Sequence, residues 1–106
     1  MRPVLLAIAM MSVAGVAHGQ SQAQVAQELL RQYKCYICHA DDETKTGPAY
    51  VDVAGRYKGN PQAVAIVSGV VRKGASSGGP WHMPPHPEIS SADATKMARY
   101  ILSLKR

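Results

Sequence analysis

The sequence contains no phenylalanine, one tryptophan and two cysteines among 106 residues. A chain of this length with so few large aromatic side chains has little apolar bulk with which to build a core of its own. Two cysteines also leave no second cysteine pair of the kind that a zinc knuckle needs. We therefore expect a single domain whose core is completed by something other than its own side chains.

Acidic residues are scarce as well: seven Asp and Glu stand against twelve Lys and Arg, which gives a net charge of +5. The basic residues are scattered along the chain and form no dense run, which argues against a nucleic-acid partner. Each of them taken singly is best interpreted as solvated surface. Together they favour encounter with an acidic partner protein.

Long apolar runs are absent except near the N-terminus. That run follows Arg2, extends from Val4 to Val13 and precedes Ala17-His18-Gly19, where small residues suit a signal peptidase. It is shorter than the roughly 20 residues of a membrane span. We predict that residues 1–19 are a cleaved secretory signal, and that the mature chain, residues 20–106, lies in the periplasm without a membrane span. The alternative is an uncleaved N-terminal anchor.

Five consecutive residues carry the most specific pattern in the chain, namely Cys35-Tyr36-Ile37-Cys38-His39. Two cysteines three apart, followed at once by a histidine, are typical of the attachment site of a c-type haem. A short loop holds both sulfurs at one edge of the porphyrin and directs the next imidazole to the iron. A thioredoxin-like pair would need a βαβ pattern, and a lone disulfide would give no reason for His39. The motif predicts one covalently attached haem c.

After residue 20, apolar residues recur at spacings of three and four, which is the period of an amphipathic helix. Asn60-Pro61 and Ser90 are helix-start signals, and Gly74 is a stop signal. No strand-rich pattern appears, so we predict an all-α fold. The predicted helices run from about Val25 to Tyr33, Val51 to Tyr57, Asn60 to Lys73, and from Ser90 toward Leu104.

Two segments between these helices are expected to be irregular. The acidic loop from Asp41 to Glu43 is expected to be solvated. The stretch from Gly74 to Pro87 is rich in glycine, serine and proline, and irregular loops of this length usually carry function. Met83 lies within it.

Three sequence blocks resemble, in the same order, those of class I cytochromes c of the small bacterial c-551 type. The blocks are CYICH, KTGPAYVDVAGRYKG and HMPPH. The resemblance implies the class I cytochrome c fold, with about four helices wrapped around one haem. It also implies that the first and last helices cross, so that the apolar stripe at Leu29 and Leu30 meets the one at Met97, Tyr100 and Ile101.

The resemblance further implies a role for each site residue. Cys35 and Cys38 would form the thioether bonds, and His39 and Met83 would be the axial ligands of the iron. The carbonyl of Pro48 would accept the proton on the other nitrogen of His39, which fixes the tautomer.

The chemistry of Met83 agrees with this role, because a thioether favours ferrous iron and His/Met ligation raises the reduction potential. Core packing, the usual role of a methionine, suits Met97 on its helical stripe better than Met83 among prolines and glycines. His82 is the chief alternative ligand, and His86 is a weaker one.

Two departures from the family pattern concern the haem propionates. Trp81 stands only two residues before Met83, so it either reaches a propionate with its indole N–H or only packs on the ring. A basic residue common in the third helix is replaced here by Val70. Arg56, Arg72 or Lys73 would have to substitute for it.

The sequence therefore predicts a soluble, monomeric, periplasmic monohaem electron carrier and not a stand-alone enzyme. Its redox partner proteins would be a respiratory donor and a terminal reductase or oxidase. One alternative is a cytochrome subunit docked permanently on a periplasmic dehydrogenase. Another is a haem sensor or enzyme with an open axial site, which requires that Met83 does not bind the iron.

Overall fold

A computed structural model describes residues 3–4, 19–76 and 79–106. In these ranges the chain forms four α-helices, one short 3-10 turn and a two-stranded ladder. The helices are α1 (Gln22–Gln32), α2 (Tyr50–Arg56), α3 (Ala63–Lys73) and α4 (Ser91–Ser103); the turn is Cys35–Ile37, and the strands are β1 (Ala75–Ser76) and β2 (His82–Met83). The predicted all-α fold is confirmed.

The predicted export signal, residues 1–19, lies outside the described residues except at positions 3–4 and 19. Within the described part of the chain, no helix is long and apolar enough to cross a membrane.

Helix α1 begins earlier than the apolar period alone suggests, because Ser21 and Gln24 form a capping box. The Ser21 Oγ accepts the backbone N–H of Gln24 at 3.1 Å, and the Gln24 Oε1 accepts the N–H of Ser21 at 3.0 Å. Both donors would otherwise lack a partner in the first turn. After α1, Lys34 adopts a left-handed conformation with φ of 61° and turns the chain into the CYICH motif.

The ends of α3 and α4 follow the predicted signals with one shift. Asn60 Oδ1 accepts the N–H of Gln62 at 2.8 Å, but Pro61 and Gln62 form a turn, so α3 begins at Ala63. Gly74 ends α3 with φ of 77°, a conformation that glycine adopts without a steric penalty. Ser90 caps α4, and its Oγ accepts the N–H of Asp93 at 3.1 Å.

The core lies where α1 and α3 pack against α4. Its fully buried large side chains are those of Leu30, Met97 and Ile89. Leu29 packs against this cluster, and the Gln27 amide donates a hydrogen bond to the Tyr100 hydroxyl at 2.9 Å. The α1 and α4 stripes therefore meet, as the resemblance implied.

The expectation that Gly74 to Pro87 is irregular is wrong in one respect. Strands β1 and β2 pair in an antiparallel ladder, with Ala75 opposite Met83 and Ser76 opposite His82. Strands of two residues are too short to leave a periodic signal in the sequence. The pairing with Ala75 therefore fixes the backbone position of Met83 relative to the end of α3.

Candidate functional site

One cavity of about 610 Å³ is lined by the six residues that the sequence predicts to bind haem. It lies in the size range of about 300–1,000 Å³ that is usual for ligand pockets. The predicted site residues that line it are Cys35, Cys38, His39, Pro48, Trp81 and Met83. Much of the remaining wall is aliphatic, from Leu30, Val53, Val67, Val70, Val71 and Ile101. This wall would exclude water from a large apolar group.

The attachment motif enters the cavity as a tight turn directly after α1. The N–H groups of Cys38 and His39 both donate to the Cys35 carbonyl, at 3.2 and 3.0 Å. Both thiols are free, and burial raises the pKa of Cys35, an effect that a hydrogen bond with Tyr50 partly offsets. The turn thus presents two thiols and one imidazole to the same space.

The His39 imidazole is oriented by a backbone acceptor. Its Nδ1 lies 2.7 Å from the carbonyl oxygen of Pro48. Because a carbonyl can only accept, Nδ1 carries the proton and Nε2 keeps a lone pair for a metal.

Gly47 lies against the ring of the same histidine. A Cβ at this position would stand 2.8 Å from Nδ1 and 2.9 Å from Nε2, and closer still to Cε1. The Gly47 N–H donates to the Cys38 carbonyl at 2.7 Å, which holds the backbone there. In the sequence Gly47 reads only as part of a Gly-Pro turn, so its contact with His39 could not be foreseen.

Of the two candidate second ligands in β2, Met83 is less exposed than His82. Both residues line the cavity, but Met83 is half-buried whereas His82 is exposed. His86 also lines the cavity, but its Nδ1 lies 3.0 Å from a carboxylate oxygen of Glu88.

The basic residues predicted to bind the haem propionates differ in position, because Arg56 lines the cavity whereas Arg72 and Lys73 do not. The Arg72 guanidinium donates to the Ile89 carbonyl at 2.9 Å and to the Ser91 hydroxyl at 3.3 Å. Lys34 and Arg56 line the cavity, and no Asp or Glu does so among the described residues. Trp81 lines it too and is 70% exposed.

The expectation that Asp41 is merely solvated is wrong. Its carboxylate accepts the hydroxyl of Tyr36 at 3.0 Å and that of Tyr100 at 2.5 Å. Burial first, and then these bonds to Asp41, raise the pKa of both tyrosines. Tyr100 is 59 residues away along the chain, so no local pattern could reveal the contact.

Known proteins resemble this chain over most of its length. The family model described as cytochrome c matches residues 23–105. The sequence is 36% identical to cytochrome c-552 of Hydrogenobacter thermophilus over 102 residues, covering 94% of this chain and 96% of that protein. It is 34% identical to cytochrome c-551 of Pseudomonas aeruginosa over 84 residues, covering 78% and 80%.

A solved structure shares the fold. The crystal structure of cytochrome c552 of Nitrosomonas europaea superposes with a TM-score of 0.70 at 34% identity, covering 74% of this chain and 99% of that one.

Proposed function

From the premise that this chain belongs to the cytochrome c family, as one of its small class I members, we propose that it carries single electrons between a respiratory donor and a terminal reductase or oxidase. The family implies a covalently bound haem c. A bound haem c supplies a one-electron change of its iron between the ferric and ferrous states. The protein residues bind the group, tune it and control access to it.

One observation carries the proposal: a single apolar cavity gathers two thiols, an oriented imidazole and a methionine thioether. Cys35 and Cys38 would form the thioether bonds, and His39 and Met83 would supply the nitrogen and sulfur ligands of the iron. These donors are the set that a low-spin haem c needs, so the residues present fit the group.

The hydrogen bond from His39 to the Pro48 carbonyl supports the same role. Because Pro48 accepts the Nδ1 proton, it keeps His39 in one tautomer and makes Nε2 a stronger donor. If His39 and Met83 both bind the iron, the haem would have no open position for oxygen or a substrate. We therefore propose a carrier and not a stand-alone enzyme.

Charge at the cavity favours an acidic partner. Lys34 and Arg56 line it, without an acidic residue among the described lining residues. Positive potential at the entrance would orient an acidic protein before contact and speed its association. Arg56 would also be the basic residue for a haem propionate, since Arg72 already binds Ile89 and Ser91. Trp81 would reach a propionate or pack on the ring.

We further propose that residues 1–19 direct export and are removed, so that the mature domain, residues 20–106, works in the periplasm as a monomer. Haem attachment to the CYICH motif in that compartment would agree with this. N-terminal sequencing of the purified holoprotein tests the cleavage site, and an intact Met1 would contradict it.

The absorption spectrum of the ferric holoprotein tests the ligand assignment. We expect the weak far-red band of methionine sulfur on ferric iron, and we expect Met83→Ala to abolish it and lower the potential. His82→Ala is the matched control because it removes the neighbouring candidate ligand. Loss of the band in His82→Ala, with retention in Met83→Ala, would reverse the assignment.

A docked subunit of a dehydrogenase is the second candidate, and exposed apolar side chains favour it. Ile37 is 66% exposed and Ile66 is 38% exposed, and neither lines the haem cavity; exposed apolar patches mark interaction sites. Gel filtration of native periplasm separates the two roles, since a free carrier elutes at its own mass. An open-site sensor would bind carbon monoxide rapidly when reduced, whereas a carrier with Met83 bound would be inert.

A further inference from the structure

The His39 ring has a second constraint besides its hydrogen bond. The Tyr50 ring stacks on it, with centroids 4.8 Å apart and an interplanar angle of 18°. The hydrogen bond from Nδ1 to Pro48 restrains one edge of the imidazole. The stacked Tyr50 ring covers one face of the imidazole and opposes tilting toward that side.

Tyr50 is itself held from several sides. Its side chain is buried, with 4% exposed, and its N–H donates to the Ala40 carbonyl at 2.9 Å. The ring of Tyr36 packs edge-on against it at 5.9 Å with an angle of 62°. Edge-to-face contacts of this kind contribute about 0.5–1.5 kcal/mol beyond area burial.

Tyr36 is in turn anchored by Asp41. The two oxygens of this carboxylate accept the hydroxyls of Tyr36 and Tyr100. Hydrogen bonds to an ionised acceptor are roughly twice as strong as neutral ones. Asp41 is also fixed by its backbone, since its carbonyl accepts the N–H of Val51 at the start of α2 at 2.9 Å.

The contacts continue into the helices of the core. Tyr100 lies on α4, is buried, and accepts a hydrogen bond from Gln27 of α1 at 2.9 Å. A continuous path therefore runs from the crossing of α1 and α4 through Asp41 and two aromatic rings to the imidazole.

We propose that Tyr36, Asp41, Tyr50 and Tyr100, here called the tyrosine bridge, are positioning residues that fix the plane of the His39 imidazole. The inference rests on the proposed function, because it takes His39 to be an iron ligand. The tyrosine bridge uses the rigid helix crossing as its support and adds a constraint that the Pro48 carbonyl cannot supply.

The test compares Asp41→Asn with Asp42→Asn in the holoprotein. Both variants remove one negative charge, but Asp42 is exposed and the structure gives its side chain no hydrogen bond. Tyr36→Phe is the second test variant, since it keeps the ring against Tyr50 and removes only the bond to Asp41.

The readouts are the paramagnetically shifted haem-methyl proton resonances of the ferric state, which depend on the plane of the axial imidazole, and the exchange rate of the His39 Nδ1 proton. We expect both test variants to redistribute the methyl shifts and to accelerate the proton exchange by about fivefold, the equivalent of one net hydrogen bond. Asp42→Asn should leave both unchanged.

Failure of this inference and failure of the proposed function give different results. If the far-red band of Met83 is present in every variant, yet the methyl shifts and proton exchange do not change, the tyrosine bridge has only a structural role and the inference is wrong. A fall in stability toward urea without a change in the methyl shifts would also show that the tyrosine bridge has only a structural role. A wild type in which His39 is not an iron ligand overturns the proposed function instead.

Discussion

The Nε of Arg72 donates to the carbonyl oxygen of Ile89 at 2.9 Å, which bonds the last turn of α3 to the residue before the cap of α4. The carbonyl of Arg72 accepts the N–H of His86 at 3.0 Å. Residue 72 thus holds the base of the loop that carries Met83 with both its side chain and its backbone.

Arg72→Met should loosen this loop while keeping the length and apolar stem of the side chain. The Ile89 carbonyl would lose its guanidinium donor, which costs about 1–3 kcal/mol when a buried group is left unpaired. We expect that loss in urea unfolding of the holoprotein, together with faster displacement of Met83 by added imidazole. Lys73→Met is the control, since Lys73 is exposed. Equal effects of the two substitutions would show that Arg72 has no special role.

Gly47→Ala should disturb the proximal side of the site. The new methyl group would overlap the His39 ring, and the neighbouring backbone is held by its bond to Cys38. Overpacking of this kind costs about 1–3 kcal/mol, and we expect it in urea unfolding together with a changed ferric spectrum.

Gly55→Ala is the matched control for that substitution. Gly55 lies within α2, and a Cβ there would meet nothing within 4 Å. Alanine should stabilise the helix by about 0.5–1 kcal/mol. If Gly47→Ala behaves like Gly55→Ala, the packing against His39 is not tight.

Removal of the haem should leave a poorly folded chain. The aliphatic cavity wall, including Leu30, Val67 and Ile101, also belongs to or adjoins the core, so an empty cavity would deprive the core of packing partners. Urea titration of holoprotein and of the Cys35→Ala/Cys38→Ala double variant measures the difference. Equal midpoints would contradict the prediction.

Stability should decline at high pH partly through Tyr100. Burial, and then its bond to Asp41, raises the pKa of Tyr100 above the usual value of about 10. The folded state therefore keeps the proton more tightly than the unfolded state. The contribution of Tyr100 to the free energy of unfolding is fully present below about pH 10 and is lost as pH rises through the raised pKa. Urea unfolding between pH 8 and pH 11 should show a steeper decline for the wild type than for Tyr100→Phe; parallel curves would contradict this.

Much of the fold could be predicted from local patterns. The Ser90 cap, the stop at Gly74 and the apolar stripe of α4 all depend on residues within one or two turns of each other. The start of α1 was predicted too late, because the Ser21 capping box adds a turn that has no apolar stripe. The ladder between Ala75 and Met83 escaped prediction, because two paired residues have no period.

The candidate site also has one part that local sequence predicts and another that only the structure shows. The spacing of Cys35, Cys38 and His39 is a property of five adjacent residues, so it could be recognised without a structure. That Arg56 lines the cavity and Arg72 does not could not be recognised in this way, since Arg72 is bonded to Ile89 across the loop.

The sequence alone therefore specifies the attachment chemistry, the helix ends and the buried faces, because each arises from neighbours along the chain. Only the tertiary structure reveals that Asp41 joins Tyr36 to Tyr100, that Tyr50 covers His39 and that Gly47 must lack a side chain. The bond from Tyr100 to Asp41 depends on the packing of a helix distant in sequence, and the contacts of His39 with Gly47 and Tyr50 depend on how the chain folds back on itself after the attachment motif. Packing selects partners by position in space and not by spacing along the chain.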